Sequence, residues 1–229
     1  MDLKTNEKLT RKWIIGMMAL ASIVIIIGMM IKYGNVIIHK VDHTVIQLIQ
    51  YHISEPLTNI TLAITFFGSA KGIMLLTSLF TGLLFLFRKF YFGLYLGISV
   101  SLGAGGLNKI LKVLFSRERP TILRVVEETG YSYPSGHAMG TTILFGGLVF
   151  IIFKMKRHAF VKLTVVMITG VIIFIMGLTR IYLGVHYPSD IIGGYIAGIA
   201  WLIFSVTTFH YLELRWKRRK PTQLFSKEY

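Results

Sequence analysis

Five residues, Tyr133-Pro134-Ser135-Gly136-His137, stand directly before a long apolar run, AMGTTILFGGLVFIIF. Pro-Ser-Gly is loop chemistry and Ser135 has the side chain of a helix N-cap, so His137 falls in the first turn of the helix that the run would form. Taken alone, this histidine needs no function. It has company along the chain, however: Lys112 and Arg119 precede it, and Arg180, His186 and Asp190 follow. Arginine forks bind pairs of oxygens and lysine acts as a point charge, while the unpaired N–H groups of a helix N-terminus also attract anions. Gly136 lets an anion approach that backbone closely. His186 and Asp190 are four apart, so within a helical turn the carboxylate can reach the ring's second nitrogen and fix its tautomer. His137, His186 and Asp190 could also hold zinc. Three nearby cations oppose a second positive charge, and no further carboxylate has a matching spacing, so no metal and no cofactor is expected.

The elements that carry these residues read as membrane helices. Of 229 residues, 54% are hydrophobic and 15% charged, with a mean hydropathy of +0.64; a soluble domain of this length rarely carries so little charge. A bilayer core needs about 20 apolar residues per helix. Six candidates meet or approach that length: Trp13–Ile31, Gly72–Phe87, Tyr91 to roughly Phe115, Ala138–Phe153, Val161–Leu178 and Ile191 to roughly Phe209. The expectation is an all-α integral membrane bundle of six transmembrane helices forming one domain over 1–229. The second span is short and is expected to begin a little before Gly72. The first lacks a small-residue cleavage site and reads as an uncleaved helix. Residues 33–69 form the one long connection, and the apolar spacing within 36–67 predicts an amphipathic helix lying on the membrane surface. Two glycine clusters, 103–106 and 194–198, miss the dinucleotide fingerprint and read as close helix-packing faces.

The net charge of +15 raises the possibility of nucleic acid, which the positions of the charges exclude. With residues 1–12 in the cytoplasm, that side collects Lys4, Lys8, Arg11 and Lys12 there, Arg88, Lys89 and the basic residues of 154–162 in the even-numbered turns, and the basic tail 211–229. This is the positive-inside bias, with both termini cytoplasmic. The run WKRRK then reads as an anchor to anionic lipids at the cytoplasmic face. Lys112, Arg117, Arg119, Arg180, His137, His186 and Asp190 lie against that gradient, at the extracytoplasmic side. Each ionisable group forced toward hydrocarbon costs about 2.5–3.5 kcal/mol on insertion scales. One snorkelling cation explains itself, but a set with two histidines and an aspartate at one face does not.

Read in chain order, the region 112–190 holds KVLFSRERP (112–120), PSGH (134–137) and TRIYLGVHYPSD (179–190). These blocks resemble the three-part signature of the type 2 phosphatidic-acid phosphatase superfamily, which also includes vanadium haloperoxidases and glucose-6-phosphatase-like enzymes. Length and topology are similar to its bacterial phosphatidylglycerophosphatase B-type branch. Two positions depart from the pattern. Thr179 stands where serine is usual and keeps the hydroxyl. Glu118 replaces the inner proline of the first block and is expected to pair with Arg117.

The resemblance implies an integral membrane lipid phosphatase. It assigns His186 as the nucleophile that forms a phosphohistidine, Asp190 as its partner and His137 as the acid that protonates the leaving alcohol. Lys112, Arg119, Ser135, Gly136 and Arg180 would hold the phosphate. The substrate is then a membrane lipid phosphate or pyrophosphate, such as phosphatidylglycerophosphate, phosphatidic acid, diacylglycerol pyrophosphate or undecaprenyl pyrophosphate, and the loop 121–133 and the segment 36–67 are candidates for selecting it. The alternatives are a lipid transporter or silent scaffold on the same fold, whose expected mark is a missing histidine or arginine, and a vanadate-dependent peroxidase, against which six spans argue. No block residue is missing.

Overall fold

The computed structural model describes residues 3–121, 123–155 and 158–219, and the regular structure among them is helical. In chain order the helices are α1 (Leu3–Lys32), α2 (Val36–Gln50), α3 (Glu55–Phe66), α4 (Ala70–Leu86), α5 (Phe90–Val100), α6 (Asn108–Phe115), α7 (Gly136–Met155), α8 (Ala159–Tyr182) and α9 (Pro188–Arg219). A π-helical stretch, Ser101–Leu107, joins α5 to α6. Lys12–Lys32, Phe90–Phe115, α7, α8 and Pro188–Trp216 are each long and apolar enough to cross a membrane. Taken together, α3 and α4, bent by 51° at a short break, are long and apolar enough for a sixth. The protein is a multi-pass membrane protein.

That bend revises the long connection. Instead of one surface helix over 36–67, two helices form, because separate start signals lie within the segment. Asn35 caps α2 by accepting from the Ile37 and Ile38 amides, and a proline in the first turn starts α3. Ser69 caps α4, its Oγ accepting from Gly72 N at 3.1 Å. The corner is tight enough to require glycine: a Cβ on Gly72 would lie 2.1 Å from the Phe66 carbonyl oxygen. The helix of the second expected span, α4, therefore starts at Ala70, a little before Gly72.

Helix α7 is central, with Met139, Ile143 and Leu144 fully buried against a core that includes Leu96 of α5. Its seam with α9 depends on small residues. A Cβ on Gly194 would stand 2.8 Å from the Ser135 carbonyl, and one on Gly198 2.8 Å from Thr142 Cβ. The other glycine cluster divides. All three lie in the π-helical stretch, where Gly103 faces the Trp201 indole and a Cβ on Gly105 or Gly106 would meet open space.

All the elements bearing the three sequence blocks meet at one end of the bundle. Lys32 Nζ at the end of α1 donates to Leu114 O near the end of α6 at 3.2 Å. The loop after α6, the start of α7, the turn between α8 and α9, and α2 all lie at this end. The amphipathic pattern of α2 is used in an unexpected way. Its apolar residues Val36, Ile37, Val41 and Leu48 are exposed, while its buried stripe is Asp42, Ile46 and Gln50.

Candidate active site

Ser116 ends α6 in a left-handed conformation, which turns the chain into the loop that carries Arg117 and Arg119 back over the bundle end. The chain returns at Ser132–Ser135, where the Tyr133–Pro134 bond is cis, and α7 begins at Gly136. Ser135 is fully buried; its amide donates to Asp190 O at 3.0 Å, and its Oγ accepts from Ala138 N at 3.4 Å. The starts of α7 and α9 are thus bonded to each other. Gly136 packs on Asn108, whose Nδ2 donates to Pro134 O at 3.3 Å. His137, in the first turn of α7, has Arg180, His186, Lys112 and Arg119 as its charged neighbours.

His186 and Asp190, both buried, form the centre of the site. His186 Nδ1 lies 3.4 Å from Asp190 Oδ2 and 3.1 Å from Ser132 Oγ, and Ser132 Oγ donates to the same carboxylate oxygen at 2.5 Å. The amide of Tyr187 donates to that oxygen as well, at 2.8 Å. On the other side of the ring, Arg119 Nη1 stands 3.3 Å from His186 Nε2. A guanidinium has only donors, so Nε2 must accept and the ring proton sits on Nδ1, facing Asp190. Burial pushes the His186 ring down to about 4, with Asp190 opposing and Arg119 adding to the shift. At neutral pH the imidazole is neutral, with a lone pair on Nε2 that points at the cations.

Those cations converge. Arg119 is held by carbonyls, Nε donating to Gly130 O at 3.0 Å and Nη1 to Val185 O at 2.9 Å. Arg180 Nη1 donates to Thr65 Oγ1 at 2.6 Å. Thr179 Oγ1 donates to Met176 O at 2.7 Å and lies 3.3 Å from the same Thr65 Oγ1. Both guanidiniums then meet one carboxylate: Glu128 Oε2 lies 2.9 Å from Arg119 Nη1, and Glu128 Oε1 bonds Arg180 Nη2. Burial would raise the Glu128 carboxyl, but Arg180 and Arg119 together hold it below its ordinary value. The two arginines thus clamp one singly charged carboxylate, that of Glu128, beside His186, and paired guanidiniums of this kind suit an oxyanion. Lys112 reaches the rim, donating to Tyr131 O at 2.6 Å.

Several members of this site were not singled out from sequence. Ser132, Thr65 and Asn108 carry no pattern of their own. Arg117 was read as a partner for Glu118, and this is corrected: its Nη1 lies 2.6 Å from Asp190 Oδ1 and its Nη2 2.7 Å from Asp42 Oδ2 on α2. Its guanidinium stacks on the Tyr187 ring, 3.9 Å from the centroid. The oxygens of Asp190 are therefore engaged by Arg117, Ser132, His186 and the Tyr187 amide. The zinc arrangement weighed for His137, His186 and Asp190 would have to break these bonds.

Comparison with known proteins gives these features a setting. Residues 88–214 match the family model described as the PAP2 superfamily. Phosphatidylglycerophosphatase B of Bacillus subtilis is 31% identical over 67% of this chain and 75% of its own length. An undecaprenyl-diphosphatase of Sulfolobus acidocaldarius is 30% identical over 54% of this chain and 58% of its own. Among solved structures, the transmembrane PAP2-type phosphatidylglycerolphosphate phosphatase from Bacillus subtilis superposes with a TM-score of 0.77 at 25% identity, covering 86% of this chain and 96% of that one. Aquifex aeolicus LpxE follows with a TM-score of 0.57 at 25% identity, over 71% and 93%.

Proposed function

The chain belongs to the PAP2 superfamily, and on that premise we propose that it hydrolyses a lipid phosphate or pyrophosphate through a phosphohistidine on His186. One observation carries the reading. The guanidiniums of Arg119 and Arg180 converge on the single Glu128 carboxylate, next to the unprotonated Nε2 of a buried, neutral histidine. In the reaction, the substrate phosphate replaces the Glu128 carboxylate between the two arginines, with Lys112 as a third positive charge and the α7 N-terminus at Ser135–Gly136 behind it. The Nε2 lone pair forms the N–P bond while the P–O bond to the leaving group breaks, releasing the lipid alcohol from a monoester or the lipid monophosphate from a pyrophosphate. His137, protonated once the substrate's negative charge offsets the cations around it, gives that proton to the leaving oxygen. The ring then carries positive charge, which Asp190 stabilises through Nδ1–H. A water activated by His137 attacks phosphorus in the second step, the N–P bond breaks, and inorganic phosphate leaves.

The likeness to phosphatidylglycerophosphatase B makes phosphatidylglycerophosphate the first substrate to test, beside phosphatidic acid, diacylglycerol pyrophosphate and undecaprenyl pyrophosphate. In detergent with EDTA present, phosphate release from at least one of these is expected at the full rate, because side-chain cations supply the charge neutralisation. Release from none, or loss with chelator that zinc or magnesium restores, would overturn the reading.

The site is proposed to face the extracytoplasmic side, with both termini in the cytoplasm and the basic ends of the bundle against anionic lipids. Thr129 lies in the exposed motif loop and His158 at the far end of α7, which has 20 residues and spans about 30 Å. The chain contains no cysteine. Thr129→Cys is expected to react with an impermeant maleimide in intact cells, and His158→Cys only after lysis. The reverse pattern would invert the proposed orientation.

A further inference from the structure

The geometry points to Asp42 of α2 as a positioning residue for the phosphoryl-transfer step, acting on His186 through Arg117 and Asp190. The inference rests on the reading of His186 as nucleophile given above. Asp42 is buried to 1% exposure in a helix whose other inward residues are Ile46 and Gln50. Nothing within α2 accounts for a carboxylate there. Its bonds all lead to the site: Oδ1 accepts from Ser189 N at 2.9 Å, and Oδ2 from Ser189 Oγ at 2.6 Å and Arg117 Nη2 at 2.7 Å. Arg117 in turn gives Nη1 to Asp190 Oδ1 at 2.6 Å and to Ser189 Oγ at 2.8 Å.

The consequence is a division of Asp190. Arg117 occupies Oδ1, which leaves Oδ2 to face the Nδ1–H of His186. Without Asp42, Arg117 loses the anchor on its second nitrogen and its whole charge falls on Asp190. Two effects follow in the same direction. The carboxylate is less firmly oriented, and it attracts the imidazolium that forms on phosphorylation less strongly. Asp42 touches neither substrate nor the reacting nitrogen, so its effect is expected on the rate of phosphorylation and not on anion affinity, which belongs to Arg119, Arg180 and Lys112. Breaking a buried ion pair can also simply weaken the fold, and the test separates that.

First-turnover p-nitrophenyl phosphate cleavage at saturating substrate, followed in detergent in a His137→Ala background in which the second step stalls and the burst counts folded sites, on the parent (wild type at 42, 186 and 189), Asp42→Asn, Ser189→Ala and His186→Ala, reads both quantities. A destabilised but competent enzyme lowers the burst amplitude and leaves its rate constant alone. A positioning defect does the opposite. For Asp42→Asn the burst rate constant is expected to fall about 10- to 100-fold, with the amplitude per folded protein kept and the inhibition constant of inorganic phosphate within about threefold of the parent. Ser189→Ala, which removes one of Asp42's supports and leaves the charge pair, is expected to lower the same rate constant severalfold, and it decides the matter if Asp42→Asn does not fold. Parental rate constants, whatever the amplitudes, would overturn the inference. His186→Ala keeps the two readings apart: if it still forms phosphoenzyme, the assignment of the nucleophile fails, whereas a silent His186→Ala beside a parent-like Asp42→Asn overturns the role of Asp42 alone.

Discussion

Replacing His186 by alanine is expected to abolish turnover of every substrate, by on the order of 10⁴-fold or more, irrespective of the leaving group. The reason is chemical. Nε2 presents a lone pair beside the arginine pair, accepting from Arg119 at 3.3 Å, and in the proposed reaction no N–P bond forms without it. The removed ring is neutral and fully buried, and the loss should not extend to binding. Inorganic phosphate should still inhibit, and thermal unfolding in detergent should remain cooperative. A residual rate that depends on the substrate would show that water attacks phosphorus directly in this site.

His137→Ala is expected to give the second-largest effect, and one that depends on what leaves. A lipid alkoxide needs a proton in the transition state and p-nitrophenolate hardly does, so the first-turnover loss should reach about 10²- to 10⁴-fold for a lipid phosphate and be small for p-nitrophenyl phosphate. The second step needs His137 as base with either substrate. The variant should therefore release a burst of p-nitrophenol and then stall with phosphate on the protein. Equal losses on both substrates, with no burst, would remove His137 from proton transfer and leave it as part of the anion cradle with Arg180 and Lys112.

The residues of the three blocks, more than 60 positions apart at their extremes, could be grouped from sequence because charge at a membrane helix end is costly enough to be informative wherever it occurs. Arg119, Arg180, His137, His186 and Asp190 lie together at one end of the bundle. Asp42 was hidden by the same physics. In α2 the many apolar residues at 36, 37, 41 and 48 define an obvious face, and the inward stripe of 42, 46 and 50 shows its purpose only once Arg117, 75 residues away, is seen to bond it. Arg117 itself was misassigned for a local reason: Glu118 is adjacent in sequence, but neighbouring side chains project apart while Asp42 and Asp190 close around the guanidinium. Glu128 was legible as a loop carboxylate and not as an occupant of the arginine pair, since that depends on how the loop 116–135 folds back. The second span could be expected to begin a little before Gly72, yet the corner between α3 and α4 shows only in the close approach of Gly72 to Phe66 O.

The most direct measurement locates the phosphate. Wild type and His137→Ala mixed with ³²P-labelled lipid phosphate or with p-nitrophenyl phosphate, quenched in base within the first turnover, digested and analysed by mass spectrometry, should yield one acid-labile phosphopeptide, modified on His186 and accumulating in the variant. Phosphate on another residue, or stoichiometric first-turnover cleavage with no phosphopeptide under conditions that preserve phosphohistidine, would contradict the account.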